Sequence, residues 1–151
     1  MALTLSSAAF ADGGTIPNAH AQAGENKSPP LRWNGAPEGT RSFVLVLEDH
    51  DAPVGTVTHW VAYDLPADSD GLLGGLDADQ VPQGTNDMGH AGYDGPKPPK
   101  VHGPHRYHFR LAALDTPHLG LSGNPDPNTV KKAARDHVLA ETDLVGTFET
   151  P

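Results

Sequence analysis

The chain has no cysteine, which excludes disulfides, thiolate nucleophiles and any Cys-based zinc set. It is also short of basic residues, with ten Lys and Arg against nineteen Asp and Glu, a formal charge of −9. Nucleic acid requires a Lys/Arg surface to displace counterions, so it is not an expected partner. Peripheral attachment to anionic lipid is disfavoured on the same ground. No apolar run approaches the ~18 residues of a membrane span, so membrane insertion is not expected. Ala8-Ala9-Phe10-Ala11 has the small residues of a signal cleavage site. No basic residue precedes it and the apolar run is short and interrupted, so a soluble, cytoplasmic protein is the expectation.

What is abundant points to many short strands. Gly (17) and Pro (15) make up about a fifth of the 151 residues, and such punctuation suits turns between strands better than long helices. The length fits one domain, residues 1–151, with one sizeable core. Arg41–Leu47 is an apolar, β-branched run of the kind buried on both faces of a sheet. Thr58–Leu65 follows after a turn cluster. Arg106–Leu114 alternates, placing Tyr107, Phe109 and Leu111 on one face and Arg106, His108 and Arg110 on the other. A short closing strand is expected over Asp143–Glu149, and a weakly signalled first strand over Ala2–Ser6. One helix is marked by Asp126 as cap and Pro127 in the first turn, with Val130, Ala133, Ala134, His137 and Val138 at helical spacing. The Pro/Gly-rich connection from about Pro82 to Pro104 is long enough to be functional or packed on itself.

Three groups of residues carry chemistry. Asp49 and Asp51 end the first strong strand, and His59 opens the next one only ten residues later. A hairpin between the two strands puts Asp49 and His59 at the same end of the sheet. The plain structural reading is that Asp49 and Asp51 cap a turn. After the stiff segment Gly95-Pro96-Lys97-Pro98-Pro99, His105 and Tyr107 share the core-facing side of the third strand, at the mouth of the core. A half-buried, satisfied tyrosine is the plain reading of Tyr107. His102, His105 and His108 suggest a metal by proximity, but on a strand His105 and His108 face opposite ways and no helical His pair exists, so no metal is expected. There is no G-x-S-x-G nucleophile elbow and no phosphate-binding glycine loop, so no cofactor is expected.

Together these segments resemble the phosphatidylethanolamine-binding protein (PEBP) family, and within it the short prokaryotic, Raf-kinase-inhibitor-like branch. The resemblance runs nearly end to end. It rests on Phe10-Ala11-Asp12-Gly13 with Ile16-Pro17, on the run from Gly24 to Trp33, and on Pro37–Phe43 leading into Asp49-His50-Asp51-Ala52-Pro53. His59-Trp60, Gln83–Asp87, Gly92-Tyr93, the Gly95–Pro99 segment, His105-Arg106-Tyr107 and Leu144-Val145-Gly146 continue it in order. The resemblance implies a mainly β fold, with a large central antiparallel sheet, a second smaller sheet and a short C-terminal helix. It implies an anion pocket of Asp49, His59, Gly95, Pro96, His105 and Tyr107, supported by the motif residues Asp51, Pro53, Pro98 and Arg106, that takes phosphate-like groups or small carboxylates. Imidazolium and phenol donors suit such a ligand, with Asp49 orienting His59 or His105, or meeting an ethanolamine nitrogen. Kinase and protease inhibitors in the family imply a protein partner and a regulatory role, and homodimers occur in the short branch. Two residues depart from the pattern: His50 stands where proline is usual and adds a titratable group beside the pocket, and Lys97 stands where the residue is often small. The alternative is an acid–base enzyme, a cyclase or isomerase using the same Asp, His and Tyr groups. The third possibility is an inert pocket.

Overall fold

The computed structural model describes residues 2–77 and 80–151. Its strands are β1 (Thr4–Ser6), β2 (Leu31–Asn34), β3 (Ser42–Asp49), β4 (Val57–Pro66), β5 (Gly71–Leu72) and β6 (His105–Leu114); helix α1 (Pro127–Ala134) then precedes β7 (Val138–Phe148). They form a four-stranded antiparallel sheet in the order β4-β3-β6-β7 and a three-stranded sheet in the order β1-β2-β5.

The run of apolar residues in β3 places it where both neighbours and both faces are occupied, and all eight of its residues are buried. Its even-spaced residues divide the interior. Phe43, Leu45 and Leu47 join Trp60, Phe109 and Leu111 in a core closed by Leu5, Leu31 and Trp33 of the smaller sheet. Val44 and Val46 face the other way, in a second cluster with Val61, Tyr63 and Ala112 that α1 covers through Val130 and Ala134. The Asp126 carboxylate caps α1 by accepting the Thr129 N–H at 2.9 Å, as expected of an Asp ahead of Pro at the first turn.

The C-terminal expectations need correction. Helical spacing carries on through His137 and Val138, but α1 stops at Ala134; Arg135–His137 form a 3-10 turn, and Val138 already begins β7. The closing strand is therefore eleven residues long instead of starting at Asp143. The free edge of β6 is the reason. Val138 pairs with Leu114 and Ala140 with Ala113, so ladder hydrogen bonds outweigh a weak local helical pattern. β2 and β5 are too short and too closely flanked by Pro and Gly to show a period.

One local feature positions the site. In the β3–β4 ladder Leu47 pairs with Trp60 and Glu48 with Thr58, which leaves His59 as an extra residue in a β-bulge. A bulge breaks the alternation of faces and re-aims a side chain. The His59 ring accordingly packs edge-on against Tyr107, with ring centres 5.4 Å apart and planes at 89°. Among the described residues no helix is long and apolar enough to cross a membrane.

Candidate functional site

The hairpin places Asp49 at the end of β3, opposite Tyr107 of β6. One Asp49 oxygen accepts the Asp51 N–H at 2.8 Å, closing an Asx turn, and the other accepts the His105 Nδ1–H at 2.7 Å. One Asp49 carboxylate therefore both closes the turn and holds the His105 ring. His105 and Asp49 are 3 % and 4 % exposed, so this is a buried pair whose geometry turns the other ring nitrogen of His105, Nε2, away from the carboxylate.

His59 is held differently. Its Nδ1–H donates to the backbone carbonyls of Asp94 (2.9 Å) and Gly95 (3.1 Å), which leaves Nε2 without a proton in the neutral ring. Burial lowers the His59 pKa, and the two carbonyls and the Asp49 charge offset this only in part. At neutral pH His59 is thus an uncharged ring offering a lone pair, not the imidazolium donor expected from sequence. Tyr107 completes the group. It is fully buried, and its hydroxyl makes no hydrogen bond of normal geometry among the described residues, with the Asp49 carboxylate and the Lys97 N–H the polar groups near it. Burial raises its pKa, and the negative Asp49 adds to that, so the hydroxyl keeps its proton and remains a donor.

The Gly95–Pro99 segment frames these rings. A Cβ on Gly95 would lie 1.8 Å from the His20 carbonyl oxygen, so glycine is required by contact with the protein's own backbone. Pro96 and Pro98 are buried and Lys97 points outward. The Pro96 carbonyl accepts the Gln22 N–H at 3.1 Å. Asp51 and Arg106 lie beside the site as a clamp: the carboxylate accepts the Arg106 backbone N–H (2.7 Å) and its guanidinium through Nε (3.1 Å) and Nη2 (2.9 Å). The Arg106 side-chain and backbone donors pull the Asp51 carboxyl down to about 2. Arg106→Gln is expected to move the Asp51 titration up toward about 3.9, the ordinary aspartate value, in a carbon-detected NMR pH series; an unchanged midpoint would show that the guanidinium does not act on it. Pro53 is exposed in the turn closed by the Gly55 N–H on the Ala52 carbonyl.

His50 is not beside the pocket. It turns to the opposite face of the sheet, where its ring stacks on His108 at 4.1 Å and meets Glu48 at 3.2 Å. This is the side that alternation from Asp49 gives, since His50 shares the face of Glu48 two residues back. The three histidines 102, 105 and 108 are likewise divided. His102 stacks on His105 at 5.7 Å, while His108 is with His50.

Several residues of the site carried no sequence signal of their own. Asp94 accepts from Asn26 Nδ2 (2.9 Å), Asn86 Nδ2 (2.8 Å) and His90 Nδ1 (3.0 Å). Burial opposes its ionisation, but these donors hold the carboxyl below its usual range. Asn86 also donates to the His59 carbonyl (3.2 Å) and Asn26 accepts the Gly95 N–H (2.7 Å). This truss fixes both carbonyls that grip His59. Asn26 and Asn86 fall inside matched segments, but only long-range contacts reveal what they hold.

A family model described as phosphatidylethanolamine-binding protein matches residues 6–149. A UPF0098 protein of Methanothermobacter thermautotrophicus is 44% identical over 151 residues, covering 97% of this chain and 98% of that one. The crystal structure of Escherichia coli YbcL superposes with a TM-score of 0.92 at 27% identity, covering 100% of both chains. That of CT736 from Chlamydia trachomatis gives 0.88 at 34% identity, covering 99% of each. With a matching fold, motif order and end-to-end similarity, the chain belongs to the phosphatidylethanolamine-binding protein family.

Proposed function

We propose that the protein captures a small anionic group, phosphate or phosphoethanolamine in type, between Tyr107, His59 and His105, and that the rim around Lys97 and His102 engages a protein partner in a regulatory or inhibitory role in the cytoplasm, with a homodimer as one assembly. The observation that carries the reading is the Tyr107 hydroxyl. A buried polar group without a partner costs about 1–3 kcal/mol, and a ligand oxygen placed between the hydroxyl and the spare nitrogens of His59 and His105 would satisfy it. Anion binding then takes up a proton at His59, because a neighbouring negative charge favours the imidazolium that burial disfavours.

Tyr107→Phe is the sharpest test. It is expected to stabilise the free protein by about 1 kcal/mol and to weaken phosphate binding about tenfold, two changes of opposite sign. If both stability and affinity are unchanged, the hydroxyl is not part of the site. Sulfate, which does not titrate near neutrality, separates the His59 contribution: its affinity is expected to rise toward the limit of about tenfold per pH unit as pH falls from 8 to 6, and to lose that slope in His59→Ala. A flat wild-type profile would remove the proton uptake.

One arrangement also favours an acid–base enzyme. A neutral His59 ring packs edge-on to a protonated Tyr107 phenol in a buried cluster, which sets a base and an acid side by side as a cyclase or isomerase requires. That reading predicts turnover of a small metabolite that Asp49→Asn and His59→Ala both abolish with the fold intact. Unaltered metabolite pools over the purified protein would leave binding alone.

A further inference from the structure

The opposite face of the large sheet holds a cavity of about 520 Å³ between the end of α1 and the start of β7, within the usual ~300–1,000 Å³ of small-molecule sites. It lies where α1, only eight residues long, covers Val44, Val46 and Ala112 through Val130 and Ala134 and then ends, so that Lys131, Ala134 and Arg135 form one wall and the start of β7 the other. The floor is apolar, made by Val44, Val46, Ala112 and Val138. The walls carry three cations, Arg110, Lys131 and Arg135, in a chain whose ten Lys and Arg face nineteen acids.

Ion pairing decides which of those cations is free. The buried Glu48 carboxylate at the end of the floor is gripped by Lys131 and lies 3.4 Å from Arg110. Arg110 is engaged a second time, by Asp143 at 3.3 Å, with Glu141 at 4.0 Å. Arg135 has no carboxylate partner among the described residues. The walls therefore present one uncommitted positive charge above an apolar floor. A single negative charge matches Arg135, a second would meet the exposed Glu141 in the same cavity wall, and an ammonium would be repelled by Arg135. We infer that this cavity binds an amphipathic monocarboxylate, its carboxylate on Arg135 and its hydrocarbon body on Val44, Val46, Ala112 and Val138. The site is on the other side of the sheet from Tyr107 and is independent of anion capture there.

Octanoate is the probe, titrated into the full-length isotope-labelled protein at pH 7.5. Saturable NMR shifts are expected at Val46, Ala112 and Val138, with octanol binding more weakly and Arg135→Gln weakening octanoate by about three- to fivefold, the range of an exposed charge contact. Arg135 is exposed at the end of α1, so this variant keeps the fold. Three results would overturn the inference: shifts that stay linear up to about 10 mM, beyond any useful affinity; octanol binding as well as octanoate; or shifts confined to His59, His105 and Tyr107.

Discussion

Gly95→Ala is expected to destabilise the protein by about 3 kcal/mol or more, which for a chain of this length lowers Tm by roughly 6–12 °C. The new methyl would meet the His20 carbonyl oxygen at 1.8 Å, its carbon at 2.8 Å and the Ala21 Cα at 3.0 Å, all of them backbone atoms. Neither segment is free to retreat. The Gln22 N–H is bonded to Pro96 and its side chain to the Gly95 carbonyl, Asn26 holds the Gly95 N–H, and Tyr93 donates to the same His20 carbonyl. Separating the two segments would also draw the Gly95 carbonyl away from His59, so loss of stability and loss of His59 orientation should appear together. Thermal unfolding beside an NMR tautomer assignment of His59 checks both. Lys97→Ala, at an exposed position two residues on, serves as control and is expected to fall within about 0.5 kcal/mol of the parent. A Gly95→Ala variant as stable as that control would show the close approach to be relaxed in solution.

Asp49→Ala should cost about 2–4 kcal/mol. The carboxylate accepts two hydrogen bonds, and the His105 Nδ1–H that loses its partner is buried, where an unmet donor costs about 1–3 kcal/mol. The effect on anion binding has competing terms. Deleting a negative charge beside the ligand raises affinity, whereas freeing the His105 ring lowers it through lost preorganisation. A side chain pinned at 2.7 Å inside a core is organised chiefly by that contact, so a net fall in phosphate affinity is expected. A rise would identify Asp49 as a repulsive charge and not an orienter of His105. Urea unfolding and phosphate titration on the same preparation read the two quantities.

The main strands and the ends of the site were legible because their causes are local. The apolar run in β3 and the alternation expected over Arg106–Leu114 report burial directly, and both strands form where expected, within a residue or two. The short spacing from Asp49 to His59 implied the hairpin that brings them to one end of the sheet. His59, by contrast, reaches Tyr107 through a bulge, and a bulge is a mismatch of register between two strands that no single strand records. The length of β7 was hidden for a similar reason: Val138–Thr142 is largely exposed and lacks a strong pattern, and it is a strand because β6 needs a partner. His50 shows the limit of motif matching, since its position in the motif said nothing of the stacking partner, His108, fifty-eight residues away.

The amino-acid order by itself determined the fold class, the family and the set of residue types at the candidate site, because periodicity, turn chemistry and motif order are properties of neighbouring residues. Tertiary structure alone decided the chemical state of that set. The Nδ1 protons of His59 and His105 are assigned by carbonyls and a carboxylate brought from 35, 36 and 56 residues away, and the Tyr107 hydroxyl is left unpaired by the packing around it. Protonation and hydrogen-bond capacity depend on burial and on distant partners, and neither exists until the chain has folded.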